Sequence, residues 1–255
     1  MKKRVISATL VLLLSVAAFA GCDDDSNMTS GSYDYKSDIS AIVEILDTTD
    51  EKYSILVNKD KMVDADYDPG QMVKLDDGYT NGGKTIEVEE NVKAAVQAMI
   101  DEMRAHGIEG VCVTSGYRSY AYQEWLFNYY IEEEMLKDTA LTRDMAEKKV
   151  LTYSARPGTS EHHTGLCVDL WVNPDMRELE NYGSEGEYDD VGFAETEAFK
   201  WLKDNAHKFG FILRFPENKT DITGYSYESW HYRFVGIPAA AQIYEKGITL
   251  EEYLG

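Results

Sequence analysis

The sequence has few basic residues and few cysteines for its length of 255 residues. Its 25 Lys and Arg residues stand against 46 Asp and Glu, so the formal net charge is −21, and no run of three basic residues follows Arg4. The phosphate backbone of a nucleic acid repels a chain of this charge, which excludes nucleic-acid binding. Three scattered cysteines are too few for a disulfide scaffold or a cysteine-rich zinc site.

The remaining composition is that of a soluble globular protein with a hydrophobic core. Hydrophobic residues make up 44% of the chain and charged residues 28%, and both values are ordinary. No internal repeat is visible. The length therefore predicts one medium domain or one domain with an appendage, since domains commonly contain ~100–200 residues.

The N-terminal residues are typical of an export signal. Basic residues at 2–4 precede an uncharged apolar stretch at 5–20, which is shorter than the ~20 residues of a membrane-spanning helix and suits a signal peptide. The stretch ends in Phe19-Ala20-Gly21-Cys22, which resembles a bacterial lipobox, although Phe19 stands where Leu is usual. The alternative is a cleaved signal peptide followed by an incidental cysteine.

These features predict three segments along the chain. Residues 1–21 are expected to be a signal peptide, after which a lipidated Cys22 becomes the new N-terminus. Residues 22–50 are expected to be a flexible tether, because their polar start cannot bury enough apolar surface to fold. Residues 51–255 then form the domain. We expect the protein to be held by its lipid on the outer face of the bacterial cell membrane.

Hydrophobic periodicity and turn residues predict the secondary structure of the domain. Apolar residues at helical spacing indicate a helix that Gly107 ends, and Thr142 is expected to cap a later helix. Residues 59–77 are expected to be packed but irregular. The predicted strands are 51–58, 111–115, 166–172, 211–214 and 230–235, and the predicted helices are 88–106, 121–136, 142–151, 195–208 and 238–246. The order lacks βαβ regularity, so we predict an α+β fold with a small antiparallel sheet flanked by helices.

The segment 154–169 contains the first pair of side chains suited to catalysis. His162 and Asp169 can meet if the chain turns at Gly165 and Asp169 points inward from a strand. Taken alone, two such residues at this spacing are a weak signal.

Two further segments contain complementary groups. Glu228 precedes His231 by three residues, which is a familiar pairing of a general base with a metal ligand. Arg118 lies where a strand meets a helix and could polarise a carbonyl group. Two histidines and one aspartate would form a zinc site with a free position for water, and their single negative charge would leave the ion able to acidify that water.

Together these segments resemble the VanY-type D,D-carboxypeptidases and their L,D-carboxypeptidase relatives, a group of zinc peptidases related to lysostaphin-type and hedgehog-type folds. The resemblance covers roughly residues 51–246. The matching stretches are LVNK at 56–59, SGYRS at 115–119 with Gln123, RPGTSEHHTGLCVDL at 156–170 and ESWHYRFVG at 228–236.

The resemblance implies a hedgehog-like zinc fold with one zinc ion per chain. It implies that His162, Asp169 and His231 bind the zinc, that Glu228 is the catalytic base, and that Arg118 polarises the scissile carbonyl. The expected activity is removal of the C-terminal D-alanine from peptidoglycan stem peptides.

Further residues of the matching segments are expected to bind the substrate. Ser160 and Gln123 fall where relatives contact it, and Tyr117 adjoins the motif and is a candidate for lining the groove. Two positions depart from the common pattern. His163 stands where relatives often have Gln, and Cys167 stands where a small Ala is usual.

Several of these residues have alternative interpretations. His163 could replace His162 as a ligand, although we favour His162. Cys167 could form a disulfide with Cys112 outside the cell, but buried free cysteines usually behave as small hydrophobic residues. His106 and His207 lie near helix ends and are expected to be structural.

Two other functions stay open at this stage. The first is L,D-carboxypeptidase activity on tetrapeptide stems, since that choice depends on the shape of the groove. The second is a non-catalytic, zinc-containing module that binds the cell wall. Glu228 argues against the second, because a binding site needs no carboxylate base. We expect a monomer whose partners are the stem peptide and, through the lipid, the membrane.

Overall fold

The computed structural model describes residues 33–39, 42–46, 49–173 and 190–255. The predicted signal peptide, Cys22 and the first part of the predicted tether, to residue 32, lie outside these ranges. The described residues of the predicted tether pack on the domain instead of extending from it, since Ile39 belongs to the buried core and the Tyr35 hydroxyl donates to the carbonyl oxygen of Lys208 at 2.7 Å. Among the described residues, no helix combines the length and the apolar composition needed to cross a lipid bilayer.

A four-stranded antiparallel sheet forms the centre of the domain. Its strands are β3 (Val111–Ser115), β4 (Cys167–Val172), β5 (Phe211–Phe215) and β6 (Glu228–Phe234), in the order β3-β4-β6-β5. A second, two-stranded antiparallel sheet pairs β1 (Met72–Lys74) with β2 (Glu87–Glu89). The predicted α+β class with a small antiparallel sheet is confirmed.

Helices flank the central sheet. The helices α1 to α9 are Val43–Leu46, Glu90–Ala105, Tyr120–Lys137, Arg143–Val150, Asp190–Ala194, Glu197–Asn205, Thr220–Thr223, Ile237–Lys246 and Leu250–Leu254. Short 3₁₀ helices are Glu51–Ser54, Asp77–Tyr79, Asn81–Gly83, Glu161–Thr164 and Ala206–Phe209. The predicted cap of α4 is confirmed, because the Thr142 side chain accepts from the backbone N–H of Met145.

Helix α2 covers one face of the central sheet. Its apolar side chains recur every three to four residues, and they share one core cluster with Val168 and Leu170 of β4 and with Tyr232 and Phe234 of β6. Successive side chains of a strand point to opposite faces. The residues that alternate with these apolar ones, including Asp169, His231 and Arg233, therefore lie on the other face.

The predicted strand at 51–58 is wrong. Residues Glu51–Ser54 form a 3₁₀ helix, in which the Asp50 side chain accepts from the backbone N–H of Lys52. The carbonyl oxygens of Tyr53 and Ile55 do not pair with a strand. They accept from Nη2 of Arg233 at 2.9 and 2.8 Å, so a distant side chain takes the hydrogen bonds that a sheet would have used.

Three smaller corrections concern element ends. The helix predicted at 88–106 begins only at Glu90, because Val88 and Glu89 belong to β2 and the Glu89 side chain caps the helix. The helix predicted at 195–208 is α6, which passes into the 3₁₀ helix Ala206–Phe209. The segment 59–77, predicted to be irregular, contains the short strand β1.

Candidate metal and catalytic centre

His162, Asp169 and His231 meet at the face of the central sheet that is turned away from α2. His162 lies in the 3₁₀ helix Glu161–Thr164, which ends at Gly165 with φ at 67°, so the chain turns there as predicted and enters β4. Asp169 of β4 lies directly opposite His231 of β6. Its Oδ2 is 3.3 Å from Nε2 of His162, and its Oδ1 is 2.9 Å from Nδ1 of His231. All three residues are buried.

The second ring nitrogen of each histidine is held by another group. Nδ1 of His162 is 2.6 Å from the carbonyl oxygen of Gly116; since a carbonyl can only accept, Nδ1 donates, and Nε2 is the nitrogen that faces Asp169. Nε2 of His231 is 3.3 Å from Oε2 of Glu161. Such outer contacts orient metal-binding histidines in proteins. Each histidine therefore presents one nitrogen to the same point as the Asp169 carboxylate.

The electrostatics of this point favour a cation. Burial opposes charge on His162, but Cys167 and Asp169 outweigh it and, against the repulsion from Arg118, raise the His162 pKa to about 9. The pKa of His231 is raised well above its ordinary value by Cys167, Asp169 and Glu161, again against burial. A site that holds protons on both histidines stabilises positive charge, which a divalent metal ion would supply in their place. Two imidazole nitrogens and a carboxylate also match the ligand types of catalytic zinc.

Glu228 lies beside this cluster. Its Oε2 is 3.7 Å from Nδ1 of His231. Burial, assisted by the negative charge of Asp169, raises the Glu228 pKa to about 7. A carboxyl group with this pKa can accept and release a proton near neutral pH.

Arg118 is joined to the cluster through Asp169. Its Nη2 donates to Oδ2 of Asp169 at 3.1 Å, and its Nε donates to the Ser115 hydroxyl at 3.0 Å. Nη1 is 3.5 Å from Oε1 of Gln123. The Arg118 side chain keeps 23% of its surface exposed, so the guanidinium lies at the open side of the centre.

The candidate substrate-binding residues lie in different positions. Gln123 is fully buried and donates to the carbonyl oxygen of Ala155 at 2.8 Å, so it fixes the loop before the His162 motif. Ser160 is buried at the start of the 3₁₀ helix Glu161–Thr164. Tyr117 lines a small cleft with Tyr67, Tyr120 and His163, among others.

His163 is directed away from the cluster. Its Nδ1 donates to the carbonyl oxygen of Arg118 at 2.8 Å, and its Nε2 accepts from the backbone N–H of Gly158 at 3.0 Å. Its ring stacks on Tyr120. Both nitrogens are therefore used by the backbone, which agrees with the preference for His162 as the ligand.

The remaining cysteines and histidines take structural positions or stay unpaired. Cys112 and Cys167 are both free thiols, so the disulfide considered for them is not formed. His106 contacts Glu102, and His207 stacks on Tyr244. Neither histidine belongs to the centre.

Sequence reasoning missed a buried ionic network behind His231. Oε1 of Glu161 accepts from Nε of Arg214 at 2.8 Å and from Nη1 of Arg233 at 2.6 Å. The same Arg214 donates twice to the carboxylate of Glu251, at 2.9 and 2.7 Å. Although burial opposes it, the two arginines hold the pKa of Glu161 well below its ordinary range.

The sequence did contain a signal for this network. Arg214 and Arg233 fall inside predicted strands between apolar residues, and Arg233 is two residues after His231, hence on the same face. Glu161 directly precedes the ligand His162 in the motif. These positions indicate buried charges that face the centre.

Comparison with known proteins gives one consistent result. The family described as "VanY: D-alanyl-D-alanine carboxypeptidase" matches residues 85–237, a range that includes the whole cluster. A D-alanyl-D-alanine carboxypeptidase of Enterococcus faecalis is 36% identical over 200 residues, which are 78% of this chain and 65% of that relative. This chain thus spans slightly less than two thirds of the length of that curated relative.

Solved structures agree. A mutant of the vancomycin resistance D,D-pentapeptidase VanY in complex with Zn(II) matches with a TM-score of 0.63 and 35% identity, over 80% of this chain and 100% of that one. The LD-carboxypeptidase LdcB matches with a TM-score of 0.61 and 34% identity, over 78% of this chain and 83% of that one.

Proposed function

The chain belongs to the VanY family of D-alanyl-D-alanine carboxypeptidases, and from this premise we propose that it is a zinc peptidase that removes the C-terminal D-alanine from peptidoglycan stem peptides. The observation that carries the proposal is the convergence of His162 Nε2, His231 Nδ1 and the Asp169 carboxylate, with Glu228 3.7 Å from His231. These residues would hold one zinc ion per chain. When bound, zinc supplies a Lewis acid for the scissile carbonyl and lowers the pKa of water.

Glu228 is the group that moves protons in this proposal. It takes a proton from the attacking water and delivers it to the nitrogen of the departing D-alanine. Its raised pKa suits both steps, because a base whose pKa is near the working pH can also act as an acid.

Arg118 is the proposed partner of the scissile carbonyl oxygen. Part of the Arg118 side chain is open to solvent. Ser115, Asp169 and Gln123 hold its guanidinium in place. A fixed donor of this kind stabilises the negative charge that develops on the oxygen during attack. Gln123 then acts by positioning Arg118 and the loop at Ala155.

The test compares wild type with Glu228→Gln in the purified full-length protein. The amide keeps the size of the side chain but cannot accept a proton, so D-alanine release from a pentapeptide stem should fall by about 10²–10⁴-fold. Zinc content, measured by elemental analysis, should stay the same. Glu217→Gln is the matched control, because Glu217 is exposed, and it should behave like wild type.

The stem peptides also separate the candidate functions. Mass spectrometry should show D-alanine release from the pentapeptide. Preferred release from the tetrapeptide would instead indicate L,D-carboxypeptidase activity, which the likeness to LdcB favours as a second candidate. If zinc-loaded wild type releases D-alanine from neither stem, the enzyme assignment is wrong, and a wall-binding module takes its place.

We also propose that Cys22 anchors the protein to the outer face of the bacterial membrane. The support is the sequence alone: basic residues at 2–4, the apolar stretch at 5–20 and the following Cys22. Cys22→Ala should release the protein from membranes or leave its precursor unprocessed. Unchanged fractionation together with unchanged processing would contradict the proposal.

A further inference from the structure

The thiol of Cys167 faces the proposed metal centre. Cys167 and Asp169 are two residues apart in β4, so their side chains lie on the same face of the sheet. Sγ of Cys167 and one nitrogen each of His162 and His231 all lie within 4.8 Å of one another. The residue is fully buried. This thiol therefore lies near two imidazole nitrogens, unlike a cysteine that only fills space in an apolar core.

The spacing of these donor atoms suits coordination. Zinc binds sulfur at about 2.3 Å and histidine nitrogen at about 2.0–2.1 Å, which places neighbouring donors of a tetrahedral site roughly 3.5 Å apart. Small movements of the side chains would bring the three atoms to such distances. Sets of cysteine and histidine ligands are also among the commonest for zinc.

We propose that Cys167 is a direct ligand of the metal ion, in addition to His162, Asp169 and His231. This inference rests on the metal centre of the proposed function. The Cys167 thiolate would approach the ion from the interior, since the exposed parts of the Arg118 and Glu228 side chains, 23% and 20%, lie on the open side. Catalytic zinc can expand to five ligands, so a position for water remains.

A thiolate would distinguish this centre from one with Ala at the same position. It would raise the negative charge of the ligands from one to two, which leaves less positive charge on the ion. Soft sulfur ligands also select zinc, and they disfavour Mg²⁺ and Mn²⁺, which prefer oxygen. The centre should therefore hold soft divalent ions more selectively than a nitrogen and oxygen site does.

Cobalt absorption tests the ligand without any activity measurement. The full-length protein is loaded with Co²⁺, and its near-ultraviolet spectrum is compared for wild type, Cys167→Ala and Cys112→Ala. Wild type and Cys112→Ala should show a sulfur-to-cobalt charge-transfer band, and Cys167→Ala should lose that band while still binding one Co²⁺. Cys112 is the matched control because it is a second buried free thiol, on β3, paired with Trp171 of β4.

The outcomes separate this inference from the metal centre itself. If wild type binds one Co²⁺ without a charge-transfer band, Cys167 is not a ligand and the three-residue centre stands. If wild type binds no Co²⁺, both the inference and the metal centre are wrong. His162→Ala, which should lose Co²⁺, calibrates the binding measurement. Should Cys167→Ala fold poorly, Cys167→Ser provides the same comparison with a side chain of nearly the same size.

Discussion

The two faces of the central sheet differ in their buried side chains, because only one of them holds a cluster of charged groups. On the face towards α2, Val168 lies opposite Tyr232, and both are fully buried in the main apolar core. On the other face, one residue along each strand, Asp169 lies opposite His231. Arg214 and Arg233 on this second face are also completely buried, next to Glu161.

The two faces are stabilised in different ways. The apolar face gains from the removal of hydrocarbon surface from water, which is non-directional and tolerates many combinations of side chains. The ionic face is stable only when each charge has its partners, because burying an unpaired charge costs several kcal/mol. The ionic face also holds Nε2 of His231 through Glu161, so it fixes the ligand geometry while the apolar face supplies most of the driving force for folding.

The largest effect on stability should come from breaking the ionic face at one residue. Arg233→Met removes a donor from Glu161 and from the backbone carbonyls of three residues, Tyr53, Ile55 and Phe234. It leaves the buried Glu161 with one arginine partner fewer, beside Arg214 and His231. The loss of one partner of a buried ion pair costs about 3–5 kcal/mol, measured as a lower urea midpoint at an unchanged m-value. Arg156→Met breaks the half-exposed pair with Glu147 and should cost about 0–1 kcal/mol. Equal losses of unfolding free energy in the two variants would show that burial does not determine what an ion pair contributes to stability.

A smaller effect is expected on the apolar face. Leu170 is fully buried in the core cluster, and Leu170→Ala should lower the unfolding free energy by about 3 kcal/mol, within the usual range for such cavities. Zinc content under native conditions should stay at the wild-type level, whereas Arg233→Met should reduce it by releasing His231 from its orientation. If Leu170→Ala loses zinc before it unfolds, the apolar face also holds the geometry of the metal ligands, and the proposed division between the two faces is wrong.

The same contrast explains what the sequence could predict. The spacing of Val92, Val96 and Met99 predicted α2 and its apolar face, because burial of hydrophobic residues leaves a periodic pattern. The motif residues of the centre were predicted through the family resemblance. Glu161, Arg214 and Arg233 were missed, because charged residues are almost never fully buried unless they are paired, and the pairs here join distant parts of the chain.

The wrong strand at 51–58 has the same cause. Its residues have strand-like character, but their carbonyl groups bond to Arg233, which is 178 residues from Ile55 in sequence. Strand propensity depends on the local sequence, so it cannot reveal a hydrogen-bond partner this far away in the chain.

The smallest of the expected effects concerns His207, a buried polar side chain whose neighbours Ala206 and Phe209 belong to the main apolar core. His207 is 8% exposed and stacks on Tyr244, with ring centroids 3.9 Å apart. Among the described residues, its Nδ1 has no hydrogen-bond partner. Burial, assisted by the charge of Lys208, lowers the His207 pKa to about 4. The surroundings of His207 therefore accept a neutral imidazole but resist a charged one.

The lowered pKa of His207 predicts that the free energy of unfolding decreases as the pH falls. The pKa of His207 is lower in the folded protein than its ordinary value of 6.5, so below pH 6.5 the unfolded chain binds a proton that the folded chain does not. The contribution of His207 to the free energy of unfolding is fully present above pH 6.5. About 1–3 kcal/mol of it should be lost as the pH falls towards 4. His207→Phe keeps the stacked ring but does not titrate. Urea unfolding at pH 7 and pH 4.5 should therefore show a smaller loss for the variant than for wild type. All other titrating groups are common to both proteins, so their contributions cancel in that difference. Equal losses of unfolding free energy in the two proteins would show that the surroundings of His207 accept the charged imidazole without cost.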